Sequence, residues 1–193
     1  MKQVEIGKAI GFGWDAIKKD FWYFVGLAVI YMLLNSILTR STNHLVNLDF
    51  LGIFTGAWLT AGLTRIALDY YGGKKPPFEA LFTQIKYFWR ILGAQILVGL
   101  IVAGGLILLI IPGIYWVLKY QFVTNIIVDK NIGILEAFGK SGELTKGIKL
   151  QLLLFDLALI GVMILGGLAL GVGIFVAFPI VFLAGIYVYK KIS

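Results

Sequence analysis

One long apolar run does most to limit what this chain can fold into. It covers residues 99–129 and continues backwards into the apolar residues before Gly99. The combined run is about twice as long as the roughly 20 residues that one helical membrane crossing requires. Its strongest helix breaker is the pair Pro112-Gly113, and proline is tolerated at the start of a helix, where its missing N–H needs no partner. We therefore predict a hairpin of two membrane helices that turns at Pro112-Gly113.

The composition of the whole chain supports a membrane protein. Of 193 residues, 60% are hydrophobic and 14% are charged, and the mean hydropathy is +0.92. Soluble domains are about 45–50% apolar and about 25% charged, so a polytopic membrane protein is the better interpretation. Cysteine is absent and His44 is the only histidine, which excludes disulfides, thiolate metal sites and a histidine-based catalytic triad. We predict no metal, no cofactor and no enzymatic activity.

The other apolar stretches extend the pattern to six spans. The fold class predicted is all-α, with six transmembrane helices arranged as three hairpins. These spans cover residues 21–38, 48–70, 88–111, 112–128, 150–170 and, after a turn at 171–173, the stretch that ends at Tyr189.

Each predicted hairpin follows a segment with mixed character. Residues 1–20, 71–87 and 134–149 place apolar side chains at roughly helical spacing among lysines and acids. This pattern is typical of an amphipathic helix at the membrane interface. We expect the lysines of these segments to face anionic lipid headgroups, and the residues concerned are Lys8, Lys18, Lys74, Lys140 and Lys146.

The three units resemble one another in sequence. Lys18-Lys19-Asp20-Phe21-Trp22 is similar to Lys86-Tyr87-Phe88-Trp89-Arg90, and Glu79-Ala80-Leu81-Phe82 is similar to Glu136-Ala137-Phe138. The similarity predicts one integral membrane domain, 1–193, with a threefold internal repeat at about 1–70, 76–128 and 134–191. Chance similarity between amphipathic segments is the alternative.

Basic residues are distributed very unevenly about the predicted spans. Of 17 Lys and Arg residues, 14 lie in residues 1–20, 71–90, 129–149 and 190–193, which six spans place on one side. Only Arg40 lies on the other side, directly before a short loop at 41–47. By the positive-inside rule both termini are cytoplasmic, and the protein lies in the cytoplasmic (inner) membrane. The +7 net charge is thus explained by lipid contact, and no nucleic-acid partner is predicted.

A few polar side chains fall inside the predicted spans. We predict that they form one polar layer in the inner leaflet, made by Arg65, Asp69, Gln95, Lys119 and Asp156. The first interpretation is structural ion pairing, and the alternative is a substrate or ion site. Arg65 and Asp69 are four residues apart and can pair on one helix. Asp156 is expected to pair with Arg65 or Lys119, so that Asp156→Leu would destabilise the fold.

Small residues recur at four-residue spacing within the spans. The patterns are Gly52-xxx-Gly56, Gly99-xxx-Ala103, Gly167-xxx-Gly171 and Ala169-xxx-Gly173-xxx-Ala177. Such spacing allows two membrane helices to approach closely. We predict that these faces pack against neighbouring helices.

The second half of the chain resembles known membrane-protein families. The matching pattern is Ile111-Pro112-Gly113-Ile114, then Asp129, then Glu136-Ala137-Phe138, Ser141 and Leu144-Thr145-Lys146-Gly147. It is similar to six-helix bacterial and archaeal families related to the membrane domain of glycerophosphodiester phosphodiesterases. The resemblance implies this architecture and no catalytic residues, since catalysis in the fused proteins belongs to a soluble part.

The function predicted from these features is that of a non-enzymatic integral membrane module. It would act as a scaffold, an assembly partner or a lipid-binding element, with membrane lipids, most of all anionic ones, as partners. A protein partner or a second copy of the chain is a further option. The alternative function is a small transporter or channel for a lipid, an ion or a hydrophobic solute, which would use the polar layer.

Overall fold

The computed structural model describes residues 3–39, 50–169 and 171–193, and these residues form helices and no strand. The α-helices of this part are α1 (Ile6–Lys19), α2 (Phe21–Thr39), α3 (Phe50–Tyr71), α4 (Phe88–Leu108), α5 (Ile110–Tyr120), α6 (Val123–Lys130), α7 (Ile134–Leu144), α8 (Lys149–Leu168) and α9 (Ile174–Ile192). Two short 3-10 helices, Phe78–Leu81 and Ile85–Tyr87, precede α4. The prediction of an all-α fold is confirmed.

Within the described residues, three helical stretches are long and apolar enough to cross a membrane. They are Phe78–Ile107, Lys149–Leu168 and Ile174–Ile192. The apolar helix Phe21–Ser36 is shorter. The predicted outer loop at 41–47 lies outside the described residues.

The hairpin of α4 and α5 turns three residues earlier than predicted. The turn is at Leu109, which has an extended backbone, and Pro112 occupies the third position of α5. Proline is tolerated there because the first-turn N–H groups of a helix have no intrahelical partner. The two helices approach closely at Gly105, which has no side chain. A Cβ at this position would lie 2.9 Å from the Cα of Gly113 and 2.6 Å from the Trp116 ring. The prediction of a turn at Pro112-Gly113 was therefore wrong in position.

The predicted fourth span is interrupted. Helix α5 ends at Tyr120 and α6 begins at Val123, so Gln121 and Phe122 lie between two helices. The carbonyl of Lys119, in the last turn of α5, accepts a hydrogen bond from Ser141 Oγ at 2.8 Å. A hydroxyl supplied by α7 thus satisfies a backbone group at the break, as a buried carbonyl requires.

The predicted second amphipathic helix is replaced by the two 3-10 helices. Pro76 and Pro77 precede the first 3-10 helix. The residue that ends this helix, Phe82, is hydrogen-bonded to a side chain of α3. The carbonyl of Phe82 accepts a hydrogen bond from the Trp58 indole at 3.1 Å. Leu81 is fully buried, and its backbone lies directly over Gly62 of α3. Tertiary contacts therefore decide the conformation of this segment.

Helix α1 packs along α9. A Cβ on Gly13 would lie 2.6 Å from the carbonyl oxygen of Ile180, so the absence of a side chain allows the two helices to touch. Ala9, Ala16 and Ile17 are buried on the same side of α1. The apolar face that predicted an interfacial helix is thus largely covered by protein.

The amphipathic segments share a pattern of contacts. The first 3-10 helix lies on α3, α7 lies on α6, and α1 lies on α9. The first 3-10 helix and α7 thus each lie on the α-helix that precedes them in the chain, and α1 lies on α9, so the order of these contacts is circular. The longer helices follow the same order, because α4 contacts α3, α8 contacts α5 and α2 contacts α9.

The small-residue faces are only partly used. Added Cβ atoms at Gly56, Gly99 and Gly167 would meet nothing within 4 Å, so no neighbouring helix of the described residues packs on these three glycines. The pattern that includes Gly173 and Ala177 does pack, since a Cβ on Gly166 of α8 would lie 2.6 Å from the Cβ of Ala177. Four-residue spacing alone therefore does not identify which side of a helix has a neighbour.

Candidate functional site

Arg65 and Asp69 form an ion pair on one side of α3. Arg65 Nη2 donates to Asp69 Oδ1 at 2.7 Å and Nε donates to Oδ2 at 2.9 Å, a bidentate arrangement. Their spacing of four residues brings the two side chains onto one helix face. The prediction that they pair with each other is confirmed. The guanidinium of Arg65 therefore binds Asp69 and does not pair with Asp156.

Asp156 lies half-buried on α8. Within the described residues it makes no hydrogen bond and no ion pair. Arg65 is engaged by Asp69, and Lys119 lies over the Tyr120 ring at 5.0 Å from its centroid. The expected ion pair between Asp156 and one of these cations is therefore not formed in the described part of the chain.

The amide of Gln95 lies in a different place again. It lines an open groove of about 370 Å³ between α4 and the α5–α6 break, together with Gln121 and Thr124. Of the five described residues predicted as one polar layer, only Arg65 and Asp69 share a hydrogen bond or an ion pair. The predicted layer is therefore not joined into one network by such bonds among the described residues.

Two buried hydroxyls of α7 were not singled out as functional from the sequence. Ser141 and Thr145 are both fully buried, and Thr145 Oγ1 donates to the Ser141 carbonyl at 2.9 Å. Ser141 also donates to the Lys119 carbonyl at the α5–α6 break. The Ser141 hydrogen bond joins α7 to α5, and the Thr145 hydrogen bond is local to the C-terminal end of α7. The only sequence signal for them is the pattern Ser141 and Leu144-Thr145-Lys146-Gly147 that carries the family resemblance.

A basic cleft opens where α5, α7 and the start of α8 meet. Its volume is about 440 Å³, and three lysines from three different segments line it. We call it the α5–α7–α8 cleft, and its lining residues are Tyr115, Lys119, Tyr120, Phe138, Gly139, Gly142, Glu143, Lys146 and Lys149.

The α5–α7–α8 cleft is lined by three lysines and by one acid, Glu143, so its charged side chains are mostly basic. Lys149 lies over the Tyr115 ring at 4.7 Å, and Lys119 lies over Tyr120. None of Lys119, Lys146 and Lys149 makes an ion pair within the described ranges. A Cβ on Gly142 would lie 3.1 Å from Lys119 Cε, so glycine keeps room for that side chain. The arrangement is suited to an anion, because cations from separate segments converge on one open space.

The five lysines predicted to face headgroups divide into two groups. Lys8, Lys18 and Lys140 each pair with an acid one turn away, at 2.7, 2.8 and 2.6 Å from Glu5, Asp15 and Glu136 respectively. Lys74 and Lys146 have no such partner in the described part of the chain, and each lines a cavity. The second group is therefore the one with charge available for a ligand.

The pairing also affects ionisation at the protein surface. The hydrogen bond from Lys8 lowers the pKa of Glu5, and the same bond raises the pKa of Lys8. Both groups are ionised near neutral pH even at their ordinary pKa values, and the pair widens the pH range over which both charges persist. Among the described residues, no group of three or more His, Asp or Glu side chains could hold a metal ion.

Comparison with known proteins identifies a family without identifying an activity. The chain belongs to the family described as "Protein of unknown function (DUF975)", whose sequence model matches residues 21–193. Helix α1 precedes the matched residues. No curated protein and no solved structure matches the chain. The resemblance to the membrane domain of glycerophosphodiester phosphodiesterases stays a prediction.

Proposed function

We propose that this chain is a non-enzymatic integral membrane module that binds anionic lipid headgroups in the α5–α7–α8 cleft. The proposed layout has six spans in three hairpins, with both termini on the cytoplasmic side of the inner membrane. Helices α2 and α3 form the first hairpin, α4 with α5 and α6 forms the second, and α8 and α9 form the third.

The distribution of apolar surface supports this placement in a membrane. The second residue of α2, of α4 and of α8 is in each case large, apolar and exposed. Trp22 is 82% exposed, Trp89 is 72% exposed and Leu150 is 71% exposed. Tryptophan is enriched at the boundary between headgroups and acyl chains. The first helix of each hairpin would thus enter the membrane at the same level.

The circular order of contacts supports the three-hairpin layout and the threefold repeat. Three equivalent units would contact one another in the same order around a central axis, and the three amphipathic segments do so. The same layout places the basic connectors on one side, where anionic lipids attract lysine and arginine.

The observation that carries the proposed function is the charge in the α5–α7–α8 cleft. Three lysines that make no ion pair in the described residues, with a single acid, Glu143, line one open space beside aromatic side chains. A phosphate group accepts hydrogen bonds from several ammonium groups, and aromatic rings suit the glycerol and ester region that follows it in a lipid. Lysine and tyrosine are also the residues typical of the membrane interface.

Lipid retention tests this proposal. Lys146→Gln combined with Lys149→Gln should reduce the binding of phosphatidylglycerol by about tenfold or more, because two charged hydrogen-bond donors are lost. The measurement is native mass spectrometry of the protein released from bilayer discs that contain phosphatidylglycerol and phosphatidylcholine. The number of retained phosphatidylglycerol molecules should fall, and phosphatidylcholine should be unaffected.

Lys18→Gln combined with Lys140→Gln is the matched control for this test, because it removes the same number of positive charges. Each of these two ammonium groups pairs with an acid one turn away, and neither lysine lines the cleft. Equal losses of lipid in the control and in the double variant would contradict a specific site, because only the net charge would then matter.

A transport function is the second candidate. Asp156 has no partner within the described ranges, and Gln95 and Gln121 line an open groove. An unpaired carboxylate within a span is a candidate ion or proton site by default. The separation of these groups favours the lipid-binding function, and flux of ions or lipids in reconstituted vesicles would favour transport.

A further inference from the structure

A second basic cleft lies at the end of α1 and α3, in residues that the α5–α7–α8 cleft does not include. Its volume is about 450 Å³, within the range of roughly 300–1,000 Å³ that small-molecule sites occupy. We call it the α1–α3 cleft, and its lining residues are Phe12, Asp15, Ala16, Lys19, Asp20, Tyr70, Tyr71, Gly73, Lys74 and Lys75.

The backbone that carries Lys74 is fixed by the way α3 ends. Gly73 has a φ of +80°, a left-handed conformation that glycine adopts without strain. The N–H of Lys74 donates to the Asp69 carbonyl at 2.9 Å, and the N–H of Gly72 donates to the Leu68 carbonyl at 3.1 Å. These bonds cap the helix and hold the two lysines that follow in place.

A polar network on one side of the cleft is already satisfied. Asp20 accepts hydrogen bonds from Lys75 Nζ and, at 3.0 Å, from Tyr70 Oη. The bond from Lys75 lowers the pKa of Asp20, so this carboxyl is ionised and balances the Lys75 charge. Lys75 also lies over the Tyr23 ring, 5.1 Å from its centroid. Neither Asp20 nor Lys75 is therefore left to bind a ligand.

Two cations in the cleft remain without an acidic partner. Lys19 comes from the end of α1 and Lys74 from the segment after α3, and neither makes an ion pair in the described residues. The remaining acid, Asp15, pairs with Lys18 at 2.8 Å. The charge available to a ligand in this cleft is thus positive, and it comes from two points 55 residues apart in the chain.

The rest of the wall is aromatic. Phe12 and Tyr71 contact each other edge to face, with ring centroids 5.5 Å apart, and both line the cleft. Such a surface suits an apolar or planar group. The cleft therefore offers two ammonium groups at one side and an aromatic wall at another.

We propose that the α1–α3 cleft binds a phosphate ester, with Lys19 and Lys74 on the phosphate and Phe12 and Tyr71 against the esterified group. The site is independent of the α5–α7–α8 cleft and shares no residue with it. The same chemistry is offered by a soluble phosphate ester and by the headgroup of phosphatidic acid.

Phenyl phosphate is the probe for the soluble source. The protein in bilayer discs of phosphatidylcholine is titrated with phenyl phosphate by isothermal calorimetry. Lys19→Gln and Lys74→Gln should each weaken binding by about tenfold, since each removes one charged donor. Lys8→Gln is the matched control, because it changes the net charge equally and lies on the same helix as Lys19, while Lys8 pairs with Glu5 and neither of these two residues lines the cleft. It should change the affinity less than twofold.

A second titration distinguishes the lipid source. The protein is titrated again in discs that contain phosphatidic acid. Weaker binding of phenyl phosphate than in phosphatidylcholine discs would indicate competition by the lipid. If Lys74→Gln abolishes this competition, the lipid headgroup occupies the same site. Phenyl phosphate binding without such competition would indicate a soluble ester.

Three results would overturn the proposal. The first is the absence of phenyl phosphate binding together with the absence of any phosphatidic acid binding that depends on Lys74. The second is an equal effect of Lys8→Gln and Lys74→Gln on the affinity. The third is phenyl phosphate binding that depends on Lys146 but not on Lys74. The last result would assign the probe to the α5–α7–α8 cleft, so the two proposals fail separately.

Discussion

Replacing Gly62 with alanine should lower the free energy of unfolding by about 3 kcal/mol, at the upper end of what overpacking costs. A Cβ at this position would lie 2.6 Å from the Cα of Leu81 and nearer still to its carbonyl oxygen. These are backbone atoms, so no side-chain rotation can relieve the clash. The 3-10 helix Phe78–Leu81 would have to move away from α3, and Leu81, which is fully buried, would lose its packing.

Gly56→Ala is the control for this variant. Gly56 lies on the same helix, and an added Cβ would meet nothing within 4 Å. Its stability should be unchanged or slightly raised, because alanine favours helices by about 1 kcal/mol over glycine. The measurement is unfolding by titration with sodium dodecyl sulfate in mixed micelles. A Gly62→Ala protein as stable as the Gly56→Ala protein would contradict the close packing of the 3-10 helix on α3.

The second large effect on the free energy of unfolding is expected at Asp156. Replacing this residue should stabilise the protein, whereas replacing a paired carboxylate would destabilise it. Asp156→Leu should raise the free energy of unfolding by about 2 kcal/mol, since aspartate disfavours a central membrane position by about 3 kcal/mol and leucine does not. No ion pair is lost within the described residues, so no buried cation is left without a partner.

Asp129→Leu provides the comparison. Asp129 accepts hydrogen bonds from Tyr189 Oη at 2.8 Å and from Lys190 Nζ at 2.7 Å. Its replacement should destabilise the protein by about 2 kcal/mol, because both donors then lose their acceptor. The same detergent titration measures both variants. A clear loss of stability in Asp156→Leu would mean that Asp156 does stabilise the fold through a partner.

The hydropathy pattern predicted the helical class and the approximate positions of the helices. It did so because burial in lipid depends on local composition, which the sequence displays directly. It did not predict the break between α5 and α6. At this break the Lys119 carbonyl accepts a hydrogen bond from Ser141, which lies 22 residues further along the chain and is not part of the local pattern. The turn at Leu109 and the 3-10 helices depend in the same way on contacts at Gly113 and Gly62.

The candidate site shows the same division between local and distant contacts. The pairs of Lys8, Lys140 and Arg65 with nearby acids follow from spacings of three or four residues along a helix. The meeting of Lys119 with Lys146 and Lys149 depends on how α7 packs against α5. The unpaired lysines could be recognised from the sequence only by the lack of an acid one turn away, and this signal does not show that they share a cleft.

We propose that three hairpins place the basic connectors on one side of the membrane. Single-cysteine labelling tests this layout most directly. The chain has no native cysteine, so each introduced thiol reports on one position. In intact cells an impermeant maleimide should label cysteines at Asn43 and Val172, and should label those at Lys74 and Lys140 only after permeabilisation. Labelling of the cysteines at positions 74 and 140 in intact cells would contradict the layout. So would labelling of the cysteine at position 172 only after permeabilisation.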